Sequence, residues 1–223
     1  MTAFRASIVG RTGTPIQRIT LRLVDDYSFV AGQYLQVHGP GSSLIPMSIA
    51  SAPQRLPELE LHYRSTPGVA EAVIMDALLE GEALDITAPA GNATAGPLDQ
   101  PLFIIAGGSG AAQAFSCAED RGARVGSAPT AILWCADNIA EIYNTETLQS
   151  FSNVQLQVCI DDRRGPENDG MTWLRANASK HLGGRVILAG GPGFVYAATD
   201  ILLELGYLQR DLYADVYDYA PIV

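Results

Sequence analysis

The chain has 223 residues, 48% hydrophobic and 17% charged, enough apolar material for two cores of about 100 residues each and too much for wholesale disorder. A formal charge of −10 and a pI of about 4.6 speak against a nucleic-acid surface, which is built on clustered Lys and Arg. The longest apolar runs fall well short of the roughly 20 residues that a bilayer-spanning helix needs, and the opening Met1-Thr2-Ala3-Phe4 carries no leader pattern, so a cytoplasmic protein is expected.

In chain order, the first part reads as short β segments punctuated by Gly and Pro, at 3–9, 16–24, 33–38, 47–50, 59–63 and 83–87. One helical interruption is predicted over 69–79, with apolar residues at 69, 70, 73, 74, 77 and 78 and Gly81 where a stop is expected. After Pro97 the rhythm changes to apolar strands at 102–106, 131–135, 154–160, 186–189 and 212–216, separated by helix-length segments. This alternation is that of βαβ units in a parallel sheet. The expectation is therefore two domains, an antiparallel β-barrel over 1–97 and a parallel α/β domain over 98–223.

Cys117, Cys135 and Cys159 form no C-x-x-C pair and read as buried thiols, and His38, His62 and His181 are too scattered for a metal triad. Two glycine clusters follow strands and precede helices. Gly107, Gly108, Ser109 and Gly110 form a turn in which backbone can approach a pyrophosphate at a helix N-terminus, although such turns also occur without a ligand. Gly190, Gly191 and Pro192 end a later strand and read either as a tight turn with Pro at the helix start or as a ligand edge of the sheet.

Three segments in one order carry a family resemblance: Ile45-Pro46-Met47-Ser48-Ile49-Ala50-Ser51-Ala52-Pro53, Ile105-Ala106-Gly107-Gly108-Ser109-Gly110, and Leu188-Ala189-Gly190-Gly191-Pro192-Gly193. With Glu60-Leu61-His62-Tyr63 and Asp215-Val216-Tyr217 they make the chain resemble the NAD(P)H:flavin reductases of the ferredoxin-reductase superfamily. The resemblance implies a flavin-binding barrel, a nicotinamide-nucleotide domain, and hydride transfer from NADH or NADPH to FMN, FAD or riboflavin. It also implies a partner oxygenase or other acceptor for the reduced flavin. The alternatives are an electron-transfer subunit with a bound flavin, and a degenerate module that keeps the fold for binding or regulation.

The same resemblance places Ser48 at flavin N5, as the catalytic hydroxyl, between Pro46 and Met47 and the following strand; read alone, Ser48 is a strand-end serine. It places His62, Tyr63 and Tyr217 around the flavin, although His62 read alone is equally an ordinary strand-face histidine, and Cys135-Ala136-Asp137 at the adenosine side of the nucleotide. Asp137 with Asn138 also reads as a helix cap. Three departures bear on phosphate binding. Ile45 stands where the family has arginine, Met47 where it has an aromatic, and Gly68-Val69-Ala70-Glu71 puts a carboxylate where a phosphate would meet the helix. The expectation is a loosely held flavin and a preference for NADH, with Arg163 or Arg164 as the cations that would reach a 2′-phosphate if one binds.

Overall fold

A computed structural model of the chain describes residues 3–163 and 167–221. Among the described residues, six antiparallel strands form the N-terminal unit: β1 (Ala3–Thr12), β2 (Gln17–Leu23), β3 (Tyr34–His38), β4 (Leu44–Ser48), β5 (Glu58–Tyr63) and β6 (Ala83–Thr87), in the order β4-β3-β6-β1-β2-β5. A bridge between Ile49 and Leu61 joins the two edges and closes the sheet into a barrel. Strand alternation decides what fills it, because successive side chains face opposite sides. Ile19, Leu21, Leu35, Val37, Leu59, Leu61 and Ile86 point inward, and Thr20 and Arg22 face away. Helix α1 (Ala70–Leu79) lies against the barrel through Ala72, Met75 and Leu79, a 3–4 residue spacing that keeps them on one face. Met75 and Leu79, fully buried there, contribute about 1.5–3 kcal/mol each.

The second unit is a parallel sheet of β7 (Leu102–Gly107), β8 (Thr130–Ala136), β9 (Val154–Ile160), β10 (Arg185–Ala189) and β11 (Leu212–Tyr213), ordered β11-β10-β7-β8-β9. Helices α2 (Ala111–Gly122) and α3 (Thr145–Gln149) cover one face. Helices α4 (Asp169–Asn177) and α5 (Pro192–Glu204) cover the other. Burial on both faces explains why β7 reads as a continuous apolar run. The order reverses between β7 and β10, so the sheet's topological switch point lies at their carboxyl ends, where a parallel sheet opens a ligand crevice.

Two strand expectations need correction. The barrel strand expected at 47–50 runs from Leu44 to Ser48, because its ladder is with Tyr34–His38 and Ile49 already belongs to the closing bridge. The strand expected over 212–216 pairs only through Leu212 and Tyr213, and the chain then turns into α6 (Val216–Tyr219). Asp215 leaves the sheet edge and meets Gln113 of α2.

The connection from β6 to β7 is held by two arginines. Arg121 is fully buried, and all five of its N–H groups are used: Nε to Thr130 Oγ1 and the other four to the carbonyls of Ala95, Pro97, Gln100 and Ala128, at 2.7–3.2 Å. Arg185 donates to the carbonyls of Asn92 and Thr94 while its guanidinium lies 3.3 Å above the Tyr213 ring. No helix among the described residues is long and apolar enough to cross a membrane.

Candidate functional site

Two openings flank the switch point. The first is a cavity of about 200 Å³ between the units. The barrel contributes neighbouring strands in register, Tyr34 opposite Ser48 and Gln36 opposite Pro46, and directly opposed residues of an antiparallel pair share a face. The other unit contributes Gly110, Gln113, the end of β10 at Leu188–Gly190, and Asp215. Met47 lines the same cavity while its side chain packs in the barrel core, beside Ile45.

Gln113 is the polar hinge of this wall. It is 3% exposed, and its amide nitrogen donates to Gly32 O at 2.5 Å, Ala93 O at 3.2 Å and Asp215 Oδ2 at 3.1 Å. The other Asp215 oxygen, Oδ1, is buried without a partner. Burial pushes the Asp215 carboxyl above its ordinary value, against the pull of the Gln113 amide, and Asp218 adds to the rise. Tyr34 is raised by burial and by the charges of Asp215 and Asp218. None of the described residues lining this cavity carries a positive charge.

The second opening is a groove of about 650 Å³ along the carboxyl ends of β7, β8, β9 and β10. Gly107, Gly108, Ser109, Cys135, Ala136, Asp137, Gly191 and Pro192 all line it, so the expected nucleotide residues are brought together. Its two arginines are engaged. Arg163 donates to Asp161 and to Asp169. Arg64 pairs at 2.5 Å with the buried Glu141. Hydrogen bonds from Arg163 and from the Asp169 N–H hold Asp161 well below the usual carboxylate range. Arg164 lies outside the described residues. Asn138 caps the turn at Ile139–Glu141 by accepting from the Ala140 N–H, as the capping alternative expected. Burial pushes the Cys135 thiol up to about 12, which leaves it a packing group with Sγ against Gly170.

The two glycine turns touch. A Cβ on Gly110 would stand 2.5 Å from Ala189 O and 2.8 Å from Gly190 N, so no other residue lets the start of α2 approach the end of β10 this closely.

His62, Tyr63 and Tyr217 line neither opening. The Tyr63 hydroxyl donates to Asp76 of α1, with Ala72 O 3.1 Å away, and Tyr217 shares a hydrogen bond with Thr199. His62 is buried in the seam between the units, with Nε2 2.7 Å from Glu60 Oε1 and Nδ1 2.6 Å from the Tyr143 hydroxyl. Its ring stands edge-on to Phe115 and Tyr143, which are stacked on each other 5.4 Å apart. Both ring nitrogens are therefore committed to protein groups. Sequence reasoning missed Tyr34, Gln36, Gln113 and Asp215 as cavity residues. For Gln113 a signal existed: it is the one polar residue in Ala111-Ala112-Gln113-Ala114-Phe115.

No family model matches the chain. It is similar to terephthalate 1,2-dioxygenase, reductase component 2, of Comamonas sp., with 27% identity over 217 residues covering 92% of this chain and 64% of that protein. It is also similar to the NAD(P)H-flavin reductase of Vibrio harveyi, 33% identical over 145 residues, which cover 60% of this chain and 61% of the relative. The chain thus spans less than two thirds of the length of these relatives. The fold is shared with a ferredoxin NADP+ reductase from Neisseria gonorrhoeae with bound FAD and NADP: the TM-score is 0.79 at 17% identity, over 96% of this chain and 98% of that one.

Proposed function

We propose that this chain, which has the two-domain ferredoxin–NADP+ reductase fold and is similar to reductases of flavins and of oxygenase systems, is a reductase that takes hydride from NADH to a loosely held flavin. One observation carries the reading. Ser48 of the barrel and the glycine turns at Gly110 and Gly190 converge on one cavity, which adjoins the groove through the same two turns.

The residues present fit a flavin ring. Its edge carries carbonyl, ring-nitrogen and N–H groups, and the wall offers the Ser48 hydroxyl, the Gln36 amide and the unpartnered Asp215 Oδ1. When bound, a flavin supplies the two-electron redox chemistry; the protein supplies orientation and hydrogen bonds. Ser48 would both donate and accept at a ring nitrogen. The turn at Gly107–Gly110 and the start of α2 would hold a nucleotide pyrophosphate by backbone N–H groups. Asp215, beside that ring, would accept from a ligand N–H or hydroxyl that completes its hydrogen bonds.

The flavin is loosely held because its phosphates find no cation. Ile45 is in the barrel core, and α1 carries Glu71 in its first turn and no side-chain cap. NADH is preferred because Arg163 and Arg64, the two arginines of the groove, are already paired with carboxylates. The similarity to an oxygenase reductase component supports a second reading, in which electrons pass on to a partner oxygenase from a flavin that stays bound.

An absorption spectrum of the purified protein, followed by oxidation of NADH and NADPH with added riboflavin, FMN or FAD, tests the proposal. We expect nearly colourless protein, turnover with added flavin, and NADH favoured about tenfold or more over NADPH, the scale of one unmatched charge–phosphate contact. Stoichiometric yellow protein favours the second reading, and no turnover with any flavin rejects both.

A further inference from the structure

We infer that Trp134 is a positioning residue for the nicotinamide nucleotide: its indole fixes the Gly108 peptide of the glycine turn, and the barrel holds the indole in place through Tyr143 and His62. The inference rests on the nucleotide reading of the groove.

Trp134 lies near the end of β8, fully buried, and its Nε1–H donates to Gly108 O at 3.2 Å. The same carbonyl accepts from the N–H of Ala111 at the start of α2, so both of its lone pairs are used. Gly108 is in the left-handed region, with φ +55, and no atom would crowd a side chain there. Packing alone therefore does not fix this peptide. An anion-binding turn works only if carbonyls face away from the anion and N–H groups face toward it. An acceptor bound to a buried indole faces the protein interior, which leaves the following N–H groups of the turn for the groove.

The indole is aimed by rings behind it. Phe115 and Tyr143 each meet it edge-on, at 5.9 and 5.1 Å. The Tyr143 hydroxyl bonds His62 Nδ1, and His62 Nε2 bonds Glu60, so the chain of contacts ends on barrel strand β5. Tyr143 and Glu60 occupy both ring nitrogens of His62, which ties the ring to both units. The orientation of the nucleotide turn thus depends on the unit that holds the flavin.

Two measurements test this. In Trp134→Phe a ring remains but the N–H is gone; we expect ADP-ribose binding by calorimetry to weaken about five- to twentyfold, the scale of one hydrogen bond. KM for NADH should rise by the same factor while KM for riboflavin and the limiting kcat change less than about twofold, a split that general loosening does not produce. Tyr143→Phe, which keeps the ring, should have a smaller effect in the same direction. The second measurement needs no change at position 134. The chain has two tryptophans, Trp134 and Trp173, so in Trp173→Phe the one remaining indole N–H can be followed by NMR. Its resonance should move on adding ADP-ribose, because engaging the turn polarises the Gly108 peptide, and should stay in place on adding riboflavin. Wild-type affinity in Trp134→Phe, or a resonance unmoved at saturating ADP-ribose, overturns the inference. Absence of ADP-ribose binding by the wild type overturns the nucleotide reading itself, a different result from either.

Discussion

The buried seam and the cavity above it use the same kinds of side chain to opposite ends. In the seam Arg121 has five donors and five acceptors, and His62 has a partner at each nitrogen. In the cavity, about two helical turns along α2 from Arg121, Gln113 reaches an aspartate whose Oδ1 has no side-chain partner. A satisfied buried network holds a shape. A buried polar atom left without a side-chain partner costs up to about 1–3 kcal/mol, and the cavity wall carries that cost where the seam does not.

Three substitutions break or sharpen this contrast. The largest effect is expected from Arg121→Met, which strips the donors from four carbonyls and Thr130 at once. It should destabilise the chain by roughly 3–5 kcal/mol in denaturant unfolding, since several buried acceptors lose their partners together. A change below about 1 kcal/mol would mean that the connecting segment is held by Arg185 alone.

Ser48→Ala comes next and belongs to the cavity side. It removes one hydroxyl from a half-buried strand end, so the melting temperature should stay within a degree or two. Single-turnover flavin reduction under anaerobic conditions should slow roughly tenfold to a hundredfold, the worth of one hydrogen bond that strengthens along the reaction. Unchanged reduction removes Ser48 from the chemistry.

The smallest effect is that of Asp215→Asn. The folded state raises the Asp215 carboxyl above its unfolded value, so the folded chain binds the proton more tightly. Stability referable to this group is then full below the usual carboxylate range and falls as pH rises through the raised value. Relative to the asparagine variant, wild type should therefore lose stability as pH is taken from the ordinary carboxylate range toward neutrality. Denaturant unfolding of both proteins across that range shows it. A difference that stays flat, or runs the other way, would place Asp215 outside the low-dielectric wall.

Much of this was legible in the chain. Alternation gave the barrel strands because one face of each is buried, and the continuous run of β7 gave a sheet covered on both faces. Gly107–Gly110 and Gly190–Pro192 were legible because so few residues permit those turns. His62 alternates with Leu61 and Tyr63 of the barrel core, so it faces out of the barrel, where it meets Tyr143, 81 residues away and on the other unit, in the seam and not the cavity. Tyr217 lies off the cavity, where its hydroxyl shares a hydrogen bond with Thr199 of α5. Asp215 was read as part of a strand because Leu-Tyr-Ala-Asp-Val carries apolar and β-branched residues; the sheet edge ends after two of them, and the carboxylate turns toward Gln113.

The contact between Gly110 and the end of β10 constrains how this protein can be rebuilt. The two glycine turns come from segments about 80 residues apart in sequence, yet a single methyl on one collides with the backbone of the other. Grafting a nucleotide turn from a relative, to change cofactor use, would therefore succeed only if Ile105–Gly110 and Leu188–Gly193 are transplanted together. For engineering purposes the two loops are one cassette.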